Sequence, residues 1–164
     1  MSRWDFRPHG TIVDEETFAG VTELQTRQAA RLQYAVSMLT IHRSRNGDFG
    51  DPSQGADELA EVVSPLIRDT DLVEVVPSTA TVRVLLVGGA LEDLDRIVQR
   101  IIEETSHYHF DEEHTLVVRI GGSCFPATAG SSRDLLLQAD TLAKEAGREP
   151  GPDSAYRLRT RSDA

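Results

Sequence analysis

The chain is short of cysteine, of positive charge and of long apolar runs, and each shortage removes a class of protein. Cys124 is the one cysteine, so no internal disulfide can staple the fold, which fits a reducing, cytoplasmic setting. No apolar stretch approaches the roughly 20 residues of a membrane-spanning helix. The opening residues 1–10 carry no apolar core behind Arg3 and lack the form of a secretory leader; a start at Met1 with little ahead of the first helix fits a stand-alone protein. Lys and Arg number 17 against 27 Asp and Glu, a formal net charge of −10. Such a field repels polyanions, which argues against a nucleic-acid partner and against lying on anionic lipid. A small anion would have to be held by a local group of Arg side chains, whose planar fork suits phosphate and guanine edges.

What is present is ordinary for a globular chain: 164 residues, 39% hydrophobic and 27% charged, enough for one domain with its own core. Phe18, Val21, Leu24, Ala29 and Leu32 recur at helical spacing from Asp14 to Leu32, behind the acidic start Asp14, Glu15 and Glu16. Tyr34–Ile41 is a short apolar run that suits a buried strand, and Arg43–Gln54 is a polar loop with Gly and Pro. A second helix spans Ala56–Ile67, its last turn frustrated by Pro65. Leu72–Val76 and Thr79–Val87 are β-rich and broken by Pro77 and Ser78, which predicts an antiparallel hairpin. Leu91, Leu94, Ile97, Val98, Ile101 and Ile102 mark a strongly amphipathic helix. Thr115–Ile120 predicts a strand, Ser131–Ala146 a helix capped by Gly147, and Ala155–Arg159 an edge strand.

The expected fold class is α+β, a central antiparallel sheet with helices packed mainly on one face. Residues 1–13 form an N-terminal arm, 14–160 the domain and 161–164 a loose end. Three features invite sharper readings. His107, His109, Asp111 and His114 are all metal-capable, but they lie in a polar loop without fixed helical spacing, and no metal site is expected there. Cys124 follows a strand with no base placed beside it, which fits a half-buried apolar residue rather than a nucleophile. Trp4 packs the arm or anchors a partner.

From about residue 7 to 160 this order resembles the GGDEF (diguanylate cyclase) family, which has a ferredoxin-like palm like that of nucleotide cyclases and polymerases. Leu66–Val73 is similar to the family's helix end with its RxxD motif, carried by Arg68 and Asp71. After the five residues Leu72–Val76, the hairpin Pro77–Thr81 falls on the GGDEF pentapeptide. Arg96–Ile101 resembles the ERIR helix, Thr115–Gly122 the T-x-S-I-G strand, and Leu135–Asp140 with Ala143, Lys144, Gly147 and Arg148 the ADxALYxAKxxGRN ending, about three residues short.

The resemblance implies a former active site without its chemistry. Joining two GTP molecules requires metal ions held by carboxylates. The family's ligand positions fall on Thr40, Thr79 and Ala80, none of them acidic, and Pro77 and Ser78 replace the glycines that admit the nucleotide. Pro77, Ser78, Thr79, Ala80 and Thr81 with Thr40 are therefore expected to form a degenerate site with no catalytic residue, metal or cofactor. The guanine-reading positions fall in Arg43–Asp57, on Gly47 or Asp48 and on Ala56 or Asp57. The resemblance further implies an inhibitory-site-like binding surface for cyclic di-GMP at Arg68, Asp71 and Arg100, against which stands the plain reading of charged residues capping a helix end. The expected function is a catalytically inactive GGDEF-like signalling domain of bacterial type, acting as a cyclic di-GMP receptor or as a protein-interaction module, with a homodimer as one form. The alternatives are a pure scaffold without nucleotide and an active cyclase with ligands relocated to Asp48, Asp51 or Asp57.

Overall fold

The computed structural model describes residues 10–43, 52–107, 117–146 and 156–160. Strand β1 (Thr11–Val13) leads into helix α1 (Glu15–Leu32), whose N-cap Asp14 accepts a 2.7 Å hydrogen bond from the Thr17 N–H. Strand β2 (Val36–Arg43) follows, then helix α2 (Pro52–Val63), which begins on a proline suited to a first helical position. A 3-10 turn at Ser64–Leu66 absorbs Pro65, where the sequence predicted a frustrated last helical turn. Strands β3 (Leu72–Val76) and β4 (Thr81–Val87) form the expected antiparallel hairpin around a tight turn at Pro77–Thr79. Helix α3 (Leu91–Ser106), strand β5 (Val118–Phe125), helix α4 (Ser132–Glu145) and strand β6 (Tyr156–Leu158) complete the described elements.

One sheet of order β1-β3-β4-β2-β5-β6 carries them, antiparallel at its centre and parallel at both edges, where β1 runs beside β3 and β6 beside β5. This is the α+β palm expected of the sequence, with corrections. Thr11–Val13 of the expected arm belongs to the sheet. Helices cover both faces rather than mainly one, because six successive β2 residues, Val36 to Ile41, are buried. Leu39, Ile41, Val82 and Val84 face α2 and α3 through Leu59, Val63, Leu94 and Val98. Val36, Met38 and Leu85 face α1 and α4 through Phe18, Ala29, Leu135 and Ala139.

Strand bounds also move. Tyr34 closes the exit from α1, its N–H donating to the Ala29 carbonyl and its hydroxyl to Gln25 Oε1, so β2 starts two residues later than predicted. Strand β5 runs through Gly121 and Gly122 to include Cys124, which is 1% exposed rather than half-buried. Gly121 is in the strand because α4 lies directly on it: a Cβ there would sit 2.1 Å from the Ala139 carbonyl oxygen. The predicted Gly147 cap lies outside the described residues, and the last α4 cap described is Ala146.

Candidate functional site

The turn after Leu66 and the end of β4 are tied together by one side chain. Asp71, 3% exposed, accepts from the Arg68 N–H at 2.9 Å with Oδ2 and from the Val87 N–H at 3.0 Å with Oδ1. Burial pushes its carboxyl above the ordinary range, against the pull of those two N–H groups and of Arg68. This staple shapes a cavity of about 370 Å³ lined by Arg68 and Asp71 on one side, Gly88 and Gly89 at the end of β4, and Arg96 and Arg100 on α3. Arg68 and Arg100 also line a shallower groove with Pro65 and Asp69. The sequence-predicted trio is thus gathered at one place, with two guanidinium side chains exposed and the carboxylate buried beneath them. Arg96, which opens the ERIR-like segment, is not among the sequence-predicted binding residues, although its spacing from Arg100, one helical turn, puts both on one face. It is 82% exposed and lies 3.7 Å from Asp93, a contact too open to hold it.

The expected degenerate site is assembled differently. Thr40 is fully buried and its hydroxyl donates to Asp140 Oδ1 on α4 at 2.6 Å. Asp140 in turn takes 3.1 Å and 2.9 Å bonds from Nε and Nη2 of Arg83, whose Nη1 reaches Glu74 on β3 at 3.3 Å. His42 Nδ1 lies 2.6 Å from the Thr81 hydroxyl, and burial holds its imidazole below the usual range. In the turn itself Thr79 donates to the Thr81 hydroxyl at 2.9 Å, and Ala80 takes the left-handed conformation at φ 49 with its carbonyl bound to the Arg43 N–H. Pro77, Ser78 and Thr79 are exposed.

No group of three or more His, Cys, Asp or Glu side chains able to share a metal ion exists among the described residues. Asp48, Asp51, Gly47, Trp4, His109, Asp111 and His114 lie outside them; His107 caps α3, and Ala56 is buried on α2 beside an exposed Asp57. The Glu74, Arg83, Asp140 and Thr40 chain was missed in the sequence. Its only early sign is a charged residue in each of two apolar strands, Glu74 and Arg83, which pair directly across the hairpin.

No protein-family profile matches the chain, and no curated protein sequence matches it. Solved structures do. The isolated GGDEF domain of TpbB (YfiN) from Pseudomonas aeruginosa aligns with a TM-score of 0.79 and 22% identity, over 93% of this chain and 92% of that one. The GGDEF domain of DgcB from Caulobacter crescentus, in complex with c-di-GMP, aligns at 0.74 and 12% over 99% of each. The diguanylate cyclase SiaD of Pseudomonas aeruginosa, in complex with its activator SiaC, aligns at 0.70 and 14% over 82% of this chain and 55% of that one. The fold is that of a GGDEF domain, as the motif order implied. No helix among the described residues is long and apolar enough to cross a membrane.

Proposed function

We propose that this chain is a catalytically silent GGDEF-fold signalling module that receives cyclic di-GMP at the cavity between the Arg68 turn and α3. The observation that carries the reading is the convergence of Arg68, Arg96 and Arg100 on a single cavity of a chain whose net charge is −10. Such a chain holds a dianion only where guanidinium groups gather, and a planar fork matches both the phosphate and the guanine edge. Asp71 acts beneath them: its two oxygens are engaged by backbone N–H groups, so it fixes the turn that presents Arg68. Silence follows from Thr40, Thr79 and Ala80, where the family resemblance places metal ligands, and from the engagement of Asp140 by Arg83 and Thr40.

Amide resonances followed during a titration of the full chain with cyclic di-GMP test this reading. Signals of Arg68, Gly88, Gly89 and Arg100 should move; movement confined to the Pro77–Thr81 turn, or none at millimolar ligand, contradicts it.

A protein partner is the second reading, favoured by the large apolar side chains exposed on the two helices of one face, Leu24 at 51% and Leu32 at 66% on α1 and Leu137 at 53% on α4. A stable complex formed equally well with and without cyclic di-GMP would favour it.

A further inference from the structure

A second cavity, of about 260 Å³, lies on the other face of the sheet, between α1 and α4. Met38, Glu74 and Arg83 of the sheet form its floor, and Phe18 of α1 and Leu136 of α4 give it apolar walls. The Glu74 side chain is only 5% exposed, yet among the described residues its one hydrogen bond is the long 3.3 Å contact with Arg83 Nη1. Arg83 gives its shorter bonds to Asp140. One guanidinium therefore serves two carboxylates, and Oε1 of Glu74 accepts no hydrogen bond from a described residue; with Glu15 and Arg133, which also line the cavity, the five charged groups still sum to −1. A donor entering the cavity would therefore meet an open lone pair on a carboxylate in a largely buried site, where a charge-assisted bond is strong.

The missing donor has a definable chemistry. An anion would be opposed by this net negative charge and by the Glu74 carboxylate on the floor. A divalent metal ion would require several oxygen ligands, whereas the described residues offer no cluster of three metal-capable side chains. A compact ammonium supplies three N–H donors and one positive charge, and an apolar body on it would lie against Phe18, Met38 and Leu136. The volume falls just under the roughly 300–1,000 Å³ usual for ligand pockets, which restricts the body to a few carbon atoms. We propose that this cavity binds a small organic ammonium ion, its N–H groups donating to Glu74 and its short apolar body packed between α1 and α4. The inference is independent of the cyclic di-GMP reading, whose cavity lies across the sheet.

The test is a titration of the full chain with 3-methylbutylamine, the neutral 3-methylbutanol and anionic 3-methylbutanoate, read at the Met38 methyl resonance. The amine should shift it saturably at neutral pH, the alcohol should bind at least tenfold more weakly, and the carboxylate not at all. Glu74→Gln should weaken the amine at least tenfold and leave the alcohol unchanged. The wild type offers a measurement that needs no variant. Glu74 faces Arg83 from β4, Glu15 from α1, and Asp140 and Arg133 from α4, and burial raises its carboxyl. As pH falls and Glu74 takes up its proton, the amine should be released while the alcohol is unaffected, since an amine of pKa about 10 stays charged throughout. Amine and alcohol binding alike, tighter binding of the carboxylate, or no saturable shift at millimolar amine would overturn the assignment.

Discussion

Replacing Thr40 by Asp restores a carboxylate at the position where the family resemblance places a metal ligand, and it should harm the protein rather than revive it. Thr40 is 0% exposed and donates its hydroxyl to Asp140 Oδ1 at 2.6 Å. The substitution removes that donor and sets a second carboxylate against the first. Two like charges about 4 Å apart at an effective dielectric near 20 repel by about 4 kcal/mol. Arg83 can offset only part of this, because it already serves Asp140 and Glu74. The new acid has one escape, taking up a proton, which at pH 7 costs about 4 kcal/mol for a group three units below neutrality. The expected loss is therefore about 3–4 kcal/mol at pH 7, shrinking as the pH is lowered toward 5. Thr40→Val, which loses only the hydroxyl donation, should cost about 1–3 kcal/mol with a weaker pH dependence. Urea unfolding at the two pH values measures both. A Thr40→Asp protein within about 0.5 kcal/mol of wild type at pH 7 would show that the site accommodates charge, and would refute the reasoning.

The purified chain should form no cyclic di-GMP from GTP with Mg²⁺ or Mn²⁺, and Ala80→Glu should not rescue it; product above a no-enzyme blank by chromatography would contradict this. Asp71→Ala, which orphans the Arg68 and Val87 N–H groups, should lower stability by about 3 kcal/mol or more, whereas Arg68→Ala at its exposed position should stay within about 0.5 kcal/mol; equal denaturation midpoints for the two variants would contradict the staple. Burial raises the folded Glu74 carboxyl above its ordinary 4.5, against the pull of Arg83, so its proton-linked stability is complete below that value and is lost as pH rises through the folded one. The stability of wild type relative to Glu74→Gln should therefore fall as pH rises above 4.5, and a difference independent of pH would contradict the assignment.

The hairpin was legible from two β-rich runs broken by Pro77 and Ser78, and α3 from its apolar spacing: Leu94, Val98 and Ile101 are each fully or almost fully buried. Two-faced helix cover is implicit in the unbroken apolar run of β2, whereas the expected layout put the helices mainly on one face. Gly121 and Gly122 had the appearance of a strand end, since nothing local tells a terminator from a glycine that admits a crossing helix. The Arg68, Asp71 and Arg100 grouping was legible through the motif resemblance. The bonding of Asp71 was not, because its acceptor role at Val87 depends on where β4 ends in space. The Arg83 chain was hidden for the same reason: Asp140 is 57 residues away on another element, and only the packed sheet brings the two together.

Calorimetric titration of wild type and Arg68→Ala with cyclic di-GMP tests the central claim most directly. Arg68 is exposed at the cavity and bonds Asp71 only through its backbone N–H, which Arg68→Ala keeps, so its removal leaves the hydrogen bonds of the staple in place. Losing one charge-assisted contact of about 2 kcal/mol should weaken binding about thirtyfold. Unchanged affinity in Arg68→Ala, or no heat from the wild type at millimolar cyclic di-GMP, would contradict the account.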